Sequence, residues 1–133
     1  MSSKVEWWDP WADEDRLSLA PLPGRLWRVL KDYQVVTPGG FAIVVPEGFE
    51  TNLSSSPRPL WWYLPPFGDY TPAAVVHDWL YFSGTVPRKE ADTIFLAHMK
   101  ACGVRPTQAR LKYWAVRMFG WQAWNRYRSV AEA

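Results

Sequence analysis

Thr71-Pro72-Ala73-Ala74-Val75-Val76-His77-Asp78-Trp79-Leu80-Tyr81-Phe82-Ser83-Gly84 is the most apolar helical stretch of this chain. Thr71 can cap such a helix, and Pro72 suits its first position, where the missing N–H does no harm. Ser83-Gly84 ends it. Within it stand an imidazole and a carboxylate, His77 and Asp78. An unpaired buried polar group costs about 1–3 kcal/mol and a buried charge more, so both must find partners. The partners can be a metal, a reacting proton or a structural polar cluster.

Working outward toward the C-terminus, Val86-Pro87 precedes a second helix, Arg88–Cys102, which Gly103 stops. Ala91, Phe95, Met99 and Cys102 form its apolar stripe, with Ile94 and Leu96 at the edges. Asp92 falls inside that stripe, while Lys89, Thr93 and Lys100 fall on the far side. If the two helices fold as an antiparallel hairpin about Thr85–Pro87, Asp92 and His77 lie roughly one turn apart along the axis. The spacing predicts a His77–Asp92 contact that leaves the second ring nitrogen free to work. Base plus orienter is the geometry of hydrolases; it is equally that of a neutralised structural cluster. Tyr81, one turn beyond His77, can pack or can bond the Asp92 carboxylate. Asp78 points about 100° away from His77, so the two are no bidentate pair. Arg58 or Arg88 is a candidate partner for Asp78, as is a hard cation such as calcium held with loop carbonyls. His98, at the stripe's edge, has no second His at helical spacing and reads as a satisfied or half-exposed side chain. Pro106-Thr107 opens a third helix to Phe119, and Gly120 offers a bend before Trp121–Val130.

Toward the N-terminus the pattern changes period. Arg25–Val36 is rich in β-formers, Pro38-Gly39-Gly40 is a turn, and Phe41–Val45 is a short apolar strand. Residues 53–69 are loop-like, with one short helical turn expected at Leu60–Leu64. Residues 1–24 read as an acidic arm carrying Trp7, Trp8 and Trp11, either a plain tail or a segment whose indoles dock on a partner. The expected fold is α+β: a small antiparallel sheet, then a helical hairpin and a long basic C-terminal helix, with residues 25–133 as one domain.

Composition bounds the rest. The 133 residues are 48% hydrophobic, enough for a core, and include ten Trp and twelve Pro. A formal net charge of +2 gives no whole-molecule argument for nucleic acid. Cys102 is the single cysteine, so this chain forms no internal disulfide. No apolar run nears the ~18 residues of a membrane span, and the start lacks the pattern of a secretory signal. Walker, CxxC, H-E-x-x-H, G-x-G-x-x-G and G-x-S-x-G motifs are absent.

Several short runs together are similar to the DUF1353 family of phage and prophage proteins. They are Val45-Pro-Glu-Gly-Phe-Glu-Thr-Asn52, Ser56-Pro-Arg58, Pro66-Phe-Gly68, Tyr70–Ala74, His77-Asp-Trp-Leu-Tyr81, Arg88–Asp92 with Phe95 and Met99, and Phe119-Gly120. The resemblance implies a phage setting, among genes for virion structure or lysis. The family pattern has Thr-Asp where this chain has Thr51-Asn52, and an amide is no general base. His77-Asp78-x-x-Tyr81 with a later Asp92 also resembles the helical core of secreted phospholipase A2. By that likeness His77 is the base, Asp78 a calcium ligand and Asp92 the orienter. The chain departs from it in lacking disulfides and a glycine-rich calcium loop, and in its short interhelical turn.

Three functions follow as expectations. The first is a virion-associated structural or interaction protein, a tail or tail-tip component made in the bacterial cytoplasm, binding other virion proteins through Trp7, Trp8 and Trp11. The second is a small metal-assisted hydrolase directed at phospholipid or cell wall, using His77, Asp92 and Tyr81, with Asp78 for the cation. The third is single-stranded nucleic-acid binding by the last helix, where Arg110, Lys112, Arg117, Arg126 and Arg128 alternate with aromatic rings; the plainer alternative is a basic solvated face.

Overall fold

A computed structural model describes residues 17–24, 26–37, 39–51 and 71–132. The described strands and helices fall in two compact units, with strands up to Thr51 in the first and helices from Thr71 in the second. The class is the expected α+β.

Among the described residues the first unit holds five strands: β1 Leu19–Leu22, β2 Leu26–Val29, β3 Tyr33–Val36, β4 Ala42–Val45 and β5 Glu50–Thr51. They form two antiparallel sheets, β1-β2-β5 and β3-β4. Burial alternates along the hairpin β3-β4. Tyr33, Val35, Ile43 and Val45 are buried, whereas Gln34, Ala42 and Val44 are exposed, the two-residue period of a half-buried sheet. Gly40 turns the hairpin at φ 87°, in the left-handed region. The N–H of Thr37 meets the Phe41 carbonyl at 2.9 Å, and the Thr37 hydroxyl accepts the Phe41 N–H at 3.1 Å.

Two expectations change here. The β-rich run is divided between two sheets, β2 on one and β3 on the other, because the chain breaks at Leu30–Asp32; the Asp32 carboxylate there accepts the Glu47 N–H at 2.8 Å. Part of the stretch read as an arm over 1–24 is instead a strand. Its Leu19–Leu22 is an edge strand in register with β2, Leu19 opposite Val29 and Leu22 opposite Leu26. Pro21 does not forbid this, since an edge strand leaves one row of N–H groups unused. Trp7, Trp8, Trp11, Asn52, Arg58 and the turn expected at Leu60–Leu64 lie outside the described residues.

The second unit is helical: α1 Thr71–Ser83, α2 Arg88–Ala101, α3 Pro106–Phe119 and α4 Trp121–Glu132. These bounds match the reading from caps and glycines to within two residues. Helix α1 packs on α2 and α4, and α2 packs on α3. The stripe Ala91, Phe95, Met99 and Cys102 is buried, and Lys89, Thr93 and Lys100 are exposed. Helix α4 closes over the end of α1. Arg128 donates to the Tyr81 and Phe82 carbonyls at 2.9 and 2.7 Å, satisfying last-turn acceptors that an α-helix leaves bare. Its guanidinium also lies 4.5 Å from the Trp124 ring centroid.

Gly120 separates α3 from α4 because nothing larger fits. A Cβ there would lie 2.5 Å from the Val116 carbonyl oxygen and 2.6 Å from the Tyr81 hydroxyl. Gly120→Ala is therefore expected to destabilise the helical unit by about 1–3 kcal/mol, the cost of overpacking. Denaturant unfolding checks it; a midpoint equal to the parent's contradicts the close approach.

Candidate functional site

Asp92 is completely buried on the core face of α2. Its Oδ1 lies 2.7 Å from His77 Nε2 and also accepts the Tyr81 hydroxyl at 2.7 Å. Its Oδ2 accepts Arg117 Nη1 at 2.7 Å, with Arg88 Nη1 3.6 Å away. The His77–Asp92 contact expected from the hairpin geometry is present, and of the two roles open to Tyr81 the bond to Asp92 is formed. Neither arginine was foreseen. Arg88 was legible in principle, since it stands one turn before Asp92 at i,i+4. Arg117 arrives from α3, and only tertiary packing brings it there.

The protonation states follow from this geometry. Burial alone would raise the Asp92 carboxyl, but hydrogen bonds from His77, Tyr81 and Arg117, with the charge of His77 whenever its ring is protonated, outweigh it and hold the group below its ordinary value. Burial, then the Asp92 charge and bond, push the Tyr81 phenol well above its ordinary range, so it stays protonated and donates. An ionised carboxylate only accepts, so His77 Nε2 carries the hydrogen in the bond between them. In the neutral ring Nδ1 then holds the lone pair. The imidazole plane is fixed from two sides, by Tyr81 at 4.4 Å and Phe95 at 4.5 Å between ring centroids.

Arg88 ties this centre to the end of α3, donating to the Val116 and Arg117 carbonyls at 3.0 and 3.2 Å. Asp78 points away from His77, as its place on the helix requires. Among its contacts is Tyr127 of α4, whose hydroxyl donates to Oδ1 at 3.1 Å. The suggested Asp78–Arg88 pair does not form, because Arg88 is engaged on α3. Among the described residues no group of three or more His, Cys, Asp or Glu converges as a metal site. The loop carbonyls expected to join Asp78 around a cation lie outside the described residues.

The residues read as one basic face divide. Arg110 and Arg126 are exposed. Arg117 and Arg128 turn inward to Asp92 and to α1. Lys112 is buried, and burial lowers its amine to about 8. The cause is geometric: Lys112 shares the inner side of α3 with Ala109 and Val116. His98 is also buried, where the sequence left it at the stripe's edge, and burial lowers it to about 4.

The chain belongs to the family described as "Protein of unknown function (DUF1353)", which it matches over residues 27–116. That span includes His77, Tyr81, Arg88 and Asp92. The chain is also similar to an uncharacterized protein, y4jT, of Sinorhizobium fredii (strain NBRC 101917 / NGR234). The two are 35% identical over 102 residues, which is 74% of this chain and 30% of that protein. The chain thus spans under a third of the length of this curated relative. No solved structure matches it. No described helix is long and apolar enough to cross a membrane.

Removing Asp92 takes the acceptor from the buried His77 imidazole and Tyr81 hydroxyl and from the partly buried Arg117 guanidinium. Asp92→Ala is expected to cost roughly 3–5 kcal/mol. Breaking the exposed Arg28–Glu50 pair with Arg28→Ala is expected to cost less than about 1 kcal/mol. Chemical denaturation of both variants checks the contrast.

A pH effect follows from His98. Unfolded His98 takes up a proton below 6.5, while the buried ring stays neutral down to about 4. Its linkage leaves stability whole above pH 6.5 and lowers it, by a few kcal/mol on the order of the shift, as pH falls toward 4. The lowered Asp92 carboxyl acts in the same direction further down, its stability being lost as pH falls through its folded value. Unfolding midpoints across this range should decline on acidification, and His98→Gln should flatten the upper part of the window.

Proposed function

We propose that the helical unit is a small hydrolase module with His77 as general base. The observation that carries this reading is the His77 Nε2–Asp92 contact at 2.7 Å, which fixes the tautomer and leaves Nδ1 basic. Tyr81, on the same carboxylate oxygen, and Arg117, on the other, hold the orienter still. His77 Nδ1 takes a proton from water while the water oxygen adds to an ester or amide carbonyl. As the tetrahedral species collapses, the carbon–heteroatom bond breaks and the leaving group takes that proton from Nδ1. The products are a carboxylic acid and an alcohol or amine. Asp78 is the described carboxylate nearest in sequence that a cation could use, and no step here runs through a metal.

The resemblance to phage proteins supports an envelope substrate, phospholipid or peptidoglycan, met during entry or lysis. A second reading, a virion-associated tail protein without chemistry, is favoured by one observation. Asp92 is saturated and fully buried, as a purely architectural carboxylate would be. Under that reading His77 serves packing alone.

Purified protein incubated with phospholipid vesicles or cell-wall sacculi, with and without calcium, separates the two. Release of fatty acid or wall fragments is expected. His77→Gln is expected to lower it roughly 100- to 10,000-fold, the range of general-base contributions. A folded parent protein that releases nothing under any of these conditions overturns the hydrolase and leaves the architectural reading.

A further inference from the structure

Nine large apolar side chains are markedly exposed among the described residues, and five of them crowd into eleven positions at the α3–α4 junction. They are Leu111, Trp114, Met118, Phe119 and Trp121. Scattered exposed apolar residues are ordinary, whereas a contiguous patch calls for a reason. On α3, Leu111, Trp114 and Met118 lie within about 60° of one another. Trp114 is 59% exposed and Met118 62%, more than any other large apolar side chain described. Arg110 is also exposed and lies about 40° from Trp114. Ala109, Lys112 and Val116 occupy the buried side. The surrounding sequence has one sign of charge. Residues 93–131 contain seven Lys and Arg and no Asp or Glu, and four of the seven, Lys100, Arg105, Arg110 and Arg126, are exposed.

We infer that this face docks on an anionic lipid surface. An amphipathic helix lying in the membrane plane has this composition: tryptophan and aliphatic side chains entering the headgroup boundary, cations beside them, and no acid to repel the lipid phosphates. Indole suits that depth because it is apolar with one polar edge. Single-stranded nucleic acid is served less well, because Leu111 and Met118 give bases nothing to stack on. Within the hydrolase reading, on which only this sentence rests, the surface names the substrate class as phospholipid.

The test is sedimentation of the full chain with vesicles of phosphatidylglycerol and of phosphatidylcholine, using the parent, a Trp114→Ser/Met118→Ser double variant and His77→Gln. The double variant changes exposed residues, and its thermal melt confirms that it folds. Binding to phosphatidylglycerol that exceeds binding to phosphatidylcholine by roughly ten-fold and weakens with salt is the expected result. The double variant should lose roughly ten-fold or more in binding. His77→Gln should bind as the parent does, so vesicle binding survives even where the hydrolase reading fails. Absence of vesicle binding at low salt overturns the inference, as does equal binding by the double variant. So does binding of a single-stranded oligonucleotide, or self-association, that the double substitution abolishes while vesicles stay unbound.

Discussion

One carboxylate organises the helical half of this protein. Asp92 is fully buried, and a buried charge is tolerated only with close partners. It receives them from three helices: His77 and Tyr81 on α1, Arg88 on its own helix and Arg117 on α3. The chain must therefore bring α1 and α3 to α2 at fixed depth. Gly120 follows from the same demand, since the Tyr81 hydroxyl occupies the space a Cβ would need. Placement of the helices, the state of each titratable group and the bend between α3 and α4 share this cause.

The saturation of Asp92 is divided between its two oxygens. Oδ1 serves the histidine and the tyrosine, and Oδ2 serves the arginines. The imidazole is thereby held as a hydrogen donor at Nε2, and in the neutral ring Nδ1 holds the lone pair. An Asp92 satisfied by arginines alone would be as stable and would do nothing to an imidazole. That His77 shares the carboxylate is what separates a candidate site from a plain ion pair.

Much of the helical unit was legible in the sequence, because its signals are local. Pro72, Gly84, Gly103, Pro106 and Gly120 mark ends or a bend, and the 3.6-residue period of α2 places Asp92 inside. The His77–Asp92 contact followed from helix rise and a short turn. What escaped was non-local. Arg117 and Tyr127 reach Asp92 and Asp78 from 25 and 49 positions away, which no window on the chain registers. Lys112 shows the opposite failure, a residue type that suggested solvent but whose place on α3 points inward. In the strand unit, Pro21 and Pro23 made an edge strand look like an arm, and a break at Leu30–Asp32 divided a continuous β-rich run between two sheets.

The guanidinium of Arg88 has a consequence for motion. It lies beside a carboxylate on its own helix and a hydroxyl on α1, and it bonds two carbonyls at the end of α3. Opening any one of these helices strips contacts from the other two. Helices that would otherwise fray one at a time are thus expected to open as a single cooperative foldon, their amides exchanging with solvent together.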